Sequence, residues 1–131
     1  MRVAARQYSA GMRTIEDLAA RLRDFAAERD WEQFHTPKNL AMALAGEAGE
    51  LVAELQWLTP EESQHLSGEA KAKVADEMAD VLHYLVRLAD VMEVDLLAAS
   101  ASKIERNARR YPAESHRGSA RKAAALPREP S

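Results

Sequence analysis

Proline and glycine interrupt a regular backbone more readily than any other residues, and this chain has only five of each among its 131 residues. They fall mostly between segments rich in Ala, Leu, Glu and Arg, so long stretches are left with nothing to break them. No segment alternates as a half-buried strand would, and no repeat of solenoid period is present. The chain therefore reads as all-α.

Start and stop signals divide it. Thr14 is a plausible N-cap with Asp17 three residues on, and the helix it opens is expected over 14–34 with Ile15, Leu18, Leu22 and Phe25 on one face. Thr36 followed by Pro37 opens a second helix, expected to end near Trp57, with Leu40, Leu44, Leu51 and Leu55 in a narrow arc. Thr59, Pro60 and Glu62 repeat the signature for a short turn. A long helix over 69–92 should present Val74, Val81, Leu85 and Leu88 to a core, and Asp95 can cap a last helix that Tyr111 and Pro112 stop. This partition gives a loose lead-in over 1–13, a helical domain over 14–112 and a basic tail over 113–131 whose small, charged and proline residues suggest disorder.

One domain of this length can bury a core without a staple. With no Cys there is no disulfide framework, no thiolate metal site and no cysteine nucleophile, and a reducing cytoplasm is the expected compartment. No apolar run is long enough to span a membrane, and the first twenty residues lack a signal peptide's apolar stretch, so neither membrane insertion nor export is expected. A net charge of -3 argues against binding a nucleic-acid polymer. That charge is uneven: residues 1–102 hold 10 basic and 18 acidic side chains, residues 103–131 hold 8 and 3. An acidic body suited to cations carries a basic end suited to anions, although such tails are also commonly just solvated.

Glu47, Glu50 and Glu54 lie at i, i+3 and i+7 on the second helix, within about 60 degrees of arc. Their arc adjoins that of Leu40, Leu44, Leu51 and Leu55, so they sit at the edge of the buried stripe. Glu77 and Asp80 sit likewise beside Val81, Tyr84 and Leu88 on the long helix. Helical carboxylates are mostly solvated or paired at i+4, but the only base within the second helix, Lys38, is too far from Glu47 to pair so. Two acidic pairs converging in a partly dry space would repel unless they took up protons or shared a cation. With carboxylate oxygens as the only donors, that cation is expected to be Mg2+ or Mn2+.

On the last helix Lys103, Asn107, Arg110 and Tyr111 form one stripe of donors able to grip phosphate, though a basic helix end is more often a dipole complement. With aromatics only 5% of the chain, Trp31, Phe34, His35, Trp57 and Tyr84 are candidates to line a flat pocket, against the plain alternative of core filling. His65, His83 and His116 show no ligand spacing.

The run His35 to Leu40, then GEAGELVAELQW over 46–57, DEMADVLHYLVRL over 76–88 and KIERNARRYP over 103–112, resembles the MazG-like all-α nucleoside triphosphate pyrophosphohydrolases, and within them the dCTP pyrophosphatase branch. The resemblance covers about residues 14–112, with E-x-x-E followed by E-x-x-D and 26 residues between Glu50 and Glu77. It implies a four-helix-bundle-like fold completed by dimerisation, as a homodimer or homotetramer. It further implies cleavage between the α and β phosphates of a nucleoside triphosphate, with Mg2+ on Glu47, Glu50, Glu77 and Asp80. Glu50 or Glu54 would orient or deprotonate the attacking water, without the resemblance deciding between them. Lys103, Asn107 and Tyr111 would contact phosphates, while His35, Asn39, Trp57, Tyr84 and, less directly, Trp31 would shape the nucleoside pocket. The tail after Pro112 lies outside the pattern. Two competing readings remain open from the residues alone: a noncatalytic helical interaction module, and a nucleotide-sensing protein.

Overall fold

The computed structural model describes residues 11–123, and every regular element among them is helical. The first of two compact units ends at Val94. It holds α1 (Ile15–Glu28), a 3₁₀ turn (Glu32–Phe34), α2 (Pro37–Leu55), α3 (Pro60–Gln64) and α4 (Gly68–Val91). The second holds α5 (Leu96–Arg110) and α6 (Ala113–His116).

Helix starts follow the capping chemistry. Thr14 Oγ1 accepts from the Asp17 amide at 3.1 Å while Asp17 Oδ2 accepts from the Thr14 amide at 3.1 Å, a closed capping box. Thr59 and Glu62 form the same box at α3. Thr36 caps α2 through the Asn39 amide, with Pro37 pre-set in the first helical turn. Ser67 and Asp95 cap α4 and α5 by accepting from Ala70 and Ala98.

One helix end departs from expectation. α1 stops at Glu28 instead of continuing to Phe34, because Asp30 adopts a left-handed conformation (φ 54°). The Trp31 amide then donates to Ala26 O at 2.9 Å and the Asp30 amide to Ala27 O at 3.1 Å. These two bonds close a Schellman motif and turn the chain away from the helix axis. α4 ends the same way: Glu93 has φ 55°, with Val94 N bonded to Ala89 O and Glu93 N to Asp90 O.

α4 packs most extensively on α2 and secondarily on α1. Leu40 and Val86 are each 1% exposed, and Ala26 and Ala89 are buried beside them. Each large side chain contributes about 1.5–3 kcal/mol by leaving water. Leu44, Leu51, Leu55, Val74, Val81 and Leu88 are half-buried around this centre. Phe25 and Leu85, expected in the core, are exposed, as are Met42 and Val52 on α2 and Met78 and Leu82 on α4. The core of the first unit is small because only one arc of each helix is covered.

In the second unit, α5 runs to Arg110 and breaks at Tyr111 as expected. Where composition suggests disorder from Ala113, the chain forms the short helix α6. The expected lead-in over 1–13 and tail over 113–131 extend, at 1–10 and 124–131, outside the described residues. No helix among the described residues is long and apolar enough to cross a membrane.

Glu93→Gly should raise the unfolding free energy by about 0.5 kcal/mol. Relief of the left-handed strain outweighs the added freedom of the unfolded chain. Urea denaturation should show a higher midpoint with an unchanged slope.

Candidate functional site

The packing of α2 on α4 places their acidic edges together. A carboxylate oxygen from each of Glu47, Glu77 and Asp80 lies within 4.8 Å of the other two, and Glu47 and Glu77 are half-buried. Glu50 and Glu54 are exposed on the same side of α2. They are near enough for their charge to bear on Glu77, but neither joins the close trio. Of the four ligands the sequence suggests, the fold thus gathers three.

The crowding has an electrostatic signature. Partial burial pushes the Glu77 carboxyl above the usual carboxylate range, and the negative charges of Asp80, Glu47, Glu50 and Glu54 push it further. A cation among these carboxylates would relieve that repulsion and favour the ionised form. Three hard oxygen donors within a few ångströms, with no nitrogen or sulfur among them, suit a divalent ion of the Mg2+ or Mn2+ type.

Beside the trio opens a cleft of about 240 Å³. Glu47 and Asp80 form one side of it, and Phe25, Trp31, His35 and Tyr84 give it an aromatic wall. The Schellman turn at Asp30 carries Trp31 there: its ring meets Phe25 edge-on at 5.8 Å and His35 at 6.5 Å. Carboxylates able to hold a cation and aromatic side chains thus line one cleft.

Beneath the wall lies a charge network that the residue pattern did not announce. Arg87, 8% exposed, donates from Nε to His35 Nδ1 at 3.0 Å and from Nη1 to Asp90 Oδ2 at 3.1 Å. Asp90 in turn accepts from Arg23 of α1 at 3.1 and 2.6 Å. Arg23 above all, and then Arg87, hold the Asp90 carboxyl below the usual range against its partial burial. Burial and the Arg87 charge lower the His35 pKa, with Glu32 opposing. A signal for Arg87 exists in retrospect: it lies seven residues after Asp80 and three after Tyr84, on their face of α4. His83, which showed no ligand spacing, also lines the cleft.

The remaining candidates are placed differently. Asn39 braces the backbone, donating from Nδ2 to Phe34 O at 3.1 Å, and does not line the cleft. Trp57 follows α2 at 87% exposure and is likewise not part of the wall. Lys103 and Asn107 are exposed on α5 in the second unit, where the Tyr111 ring meets His116 edge-on at 5.1 Å.

A family model described as the MazG-like family matches residues 43–126, a span that takes in both acidic helices. The chain belongs to the MazG-like family. Among curated relatives, the dCTP pyrophosphatase 1 of Homo sapiens is 50% identical over 116 residues, which cover 87% of this chain and 68% of the human protein. That of Mus musculus is 48% identical over 117 residues, covering 88% and 69%. A pyrophosphatase of Archaeoglobus fulgidus, solved by crystallography, superposes with a TM-score of 0.72 at 39% identity, over 77% of this chain and 94% of the archaeal one. The all-α MazG-like fold is thereby established for this chain.

Because Glu77 binds a proton more readily folded than unfolded, its favourable contribution is complete below the unfolded pKa and is lost as pH rises through the folded one. At pH 7 without metal, Glu77→Gln should therefore melt above the wild type, the gap closing on acidification towards about pH 4. A divalent cation is expected to raise the wild-type melting temperature, and that rise should shrink in the variant, with metal affinity by calorimetry at least about tenfold weaker.

Proposed function

We propose that this protein is a Mg2+-dependent nucleoside triphosphate pyrophosphohydrolase that converts a nucleoside triphosphate and water into the monophosphate and pyrophosphate. Its substrate would be dCTP or a modified pyrimidine deoxynucleotide, in keeping the nucleotide pool clean. The observation that carries this reading is the convergence of Glu47, Glu77 and Asp80 at the mouth of an aromatic cleft. The relatives named dCTP pyrophosphatase 1 point to the substrate.

In this mechanism Glu47, Glu77 and Asp80, joined by Glu50, hold the cation. When bound, Mg2+ neutralises charge on the triphosphate, as a hard cation commonly does for phosphate oxygens. The aromatic wall of Trp31, His35 and Tyr84 orients the nucleoside and keeps water from it, and Asn39 braces the segment that carries Trp31 and His35. Glu50 or Glu54 accepts a proton from the water that attacks the α phosphorus. The bond from that phosphorus to the bridging oxygen breaks and pyrophosphate leaves.

The working form is proposed to be a homodimer or homotetramer in the cytoplasm. Support comes from Met42 and Val52 on α2 and Met78 and Leu82 on α4, apolar side chains between 41% and 64% exposed that a second copy would cover.

Pyrophosphate release should require Mg2+ or Mn2+ and fall at least about 100-fold in Glu47→Gln and Glu77→Gln. A panel of deoxy- and ribonucleoside triphosphates, run alongside light scattering, checks this. Absence of release from every canonical and modified triphosphate by fully metallated protein would sink the reading, as would a monomeric mass the assembly.

A further inference from the structure

The hydrogen bond between Arg87 and His35 has a direction that chemistry imposes. A guanidinium holds its protons at any accessible pH and can only donate, so His35 Nδ1 must accept with its lone pair. A neutral imidazole accepting at Nδ1 carries its single proton on Nε2, making that atom the ring's donor. His35 lines the cleft and meets Trp31 edge-on.

Arg87 is itself held. Asp90 fixes Nη1, and Arg23 fixes Asp90 through two hydrogen bonds from another helix, so Arg23, Asp90, Arg87 and His35 form one line from α1 through α4 to the cleft. Burying an arginine is costly unless it is paired, and a chain with so few buried large side chains spends that cost beside its pocket. Protonating His35 would set a second cation 3.0 Å from the Arg87 Nε and break the bond.

We propose that Arg87 is a positioning residue that locks His35 as the neutral Nε2–H tautomer, so that the cleft offers a fixed donor to a hydrogen-bond acceptor on the nucleoside, such as a base carbonyl. The proposal rests on the pyrophosphohydrolase reading for its substrate, though the state of His35 can be read without it. A pocket that presents a donor favours a base edge carrying an acceptor and leaves a donor edge unpaired, which is where selectivity arises.

Nitrogen-15 NMR of imidazole-labelled full-length protein, free of metal and nucleotide, tests the first half, with His35 assigned by its loss in His35→Gln. Wild type should show one neutral Nε2–H tautomer. Arg87→Met should show mixed tautomers or a cation, and Arg87→Lys, which can still donate to Nδ1, should restore the single form. Steady-state kinetics with dCTP and Mg2+ test the second half. Arg87→Met should raise KM on the order of 5-fold with kcat nearly unchanged, and Arg87→Lys should recover most of it. An Nδ1–H tautomer in wild type, an unaltered tautomer in Arg87→Met, or an unchanged KM overturns the proposal. So does an Arg87→Lys variant that regains the tautomer but not the KM, since Arg87 would then touch substrate directly. Should Arg87→Met not fold, the wild-type tautomer and the Lys variant decide. If wild type turns over no triphosphate, the enzymatic reading fails separately, and the NMR result still stands or falls by itself.

Discussion

The molecule depends on how α2 meets α4. Their contact dries Leu40 and Val86 completely, and the same approach drives Glu47 towards Glu77 and Asp80 at the rim of the contact. Apolar burial and carboxylate repulsion are thus two results of one helix pairing, and the first must outweigh the second. Full burial would force these acids to stay protonated, and full exposure would let water screen them. At the rim they remain crowded, an arrangement that a divalent cation would relieve and a bare protein tolerates at a cost.

The helices announce their beginnings in sequence, and α1 hides its end. The starts of α1, α2 and α3 are marked by side chains that can be read directly, Thr14 with Asp17, Thr36 before Pro37, and Thr59 with Glu62, because the capping atom belongs to the residue named. The end of α1 is made by backbone amides, and the left-handed residue there is Asp30, not the glycine that usually signals such a turn. A periodic apolar pattern continuing past it to Phe34 has no local reason to stop.

The site divides along the same line. The carboxylates of Glu47, Glu77 and Asp80 were readable from arcs alone, since both helices keep regular geometry. What arcs could not show is how far each side chain reaches past the rim, and Glu50 stays in water. Arg87 is hard to read from sequence because a single arginine on an amphipathic helix reads as a solvated head on a buried stem. Its inward turn requires Asp90 and His35 to be waiting for it, and the partner His35 is 52 residues away. The place of Arg87 on the Asp80 and Tyr84 face is periodic, but the distant partner that turns it inward is not.

The segment from Asp30 to Asn39 is clamped at both ends. Two amide bonds tie its start to the last turn of α1, and Asn39 Nδ2 and the Thr36 hydroxyl tie its finish to the head of α2. The chain between them, which carries Trp31 and His35, is left little freedom to collapse into the cleft. A guest entering there meets a shape already cast and forfeits little disorder in the host, so contact energy goes into retention instead of remodelling.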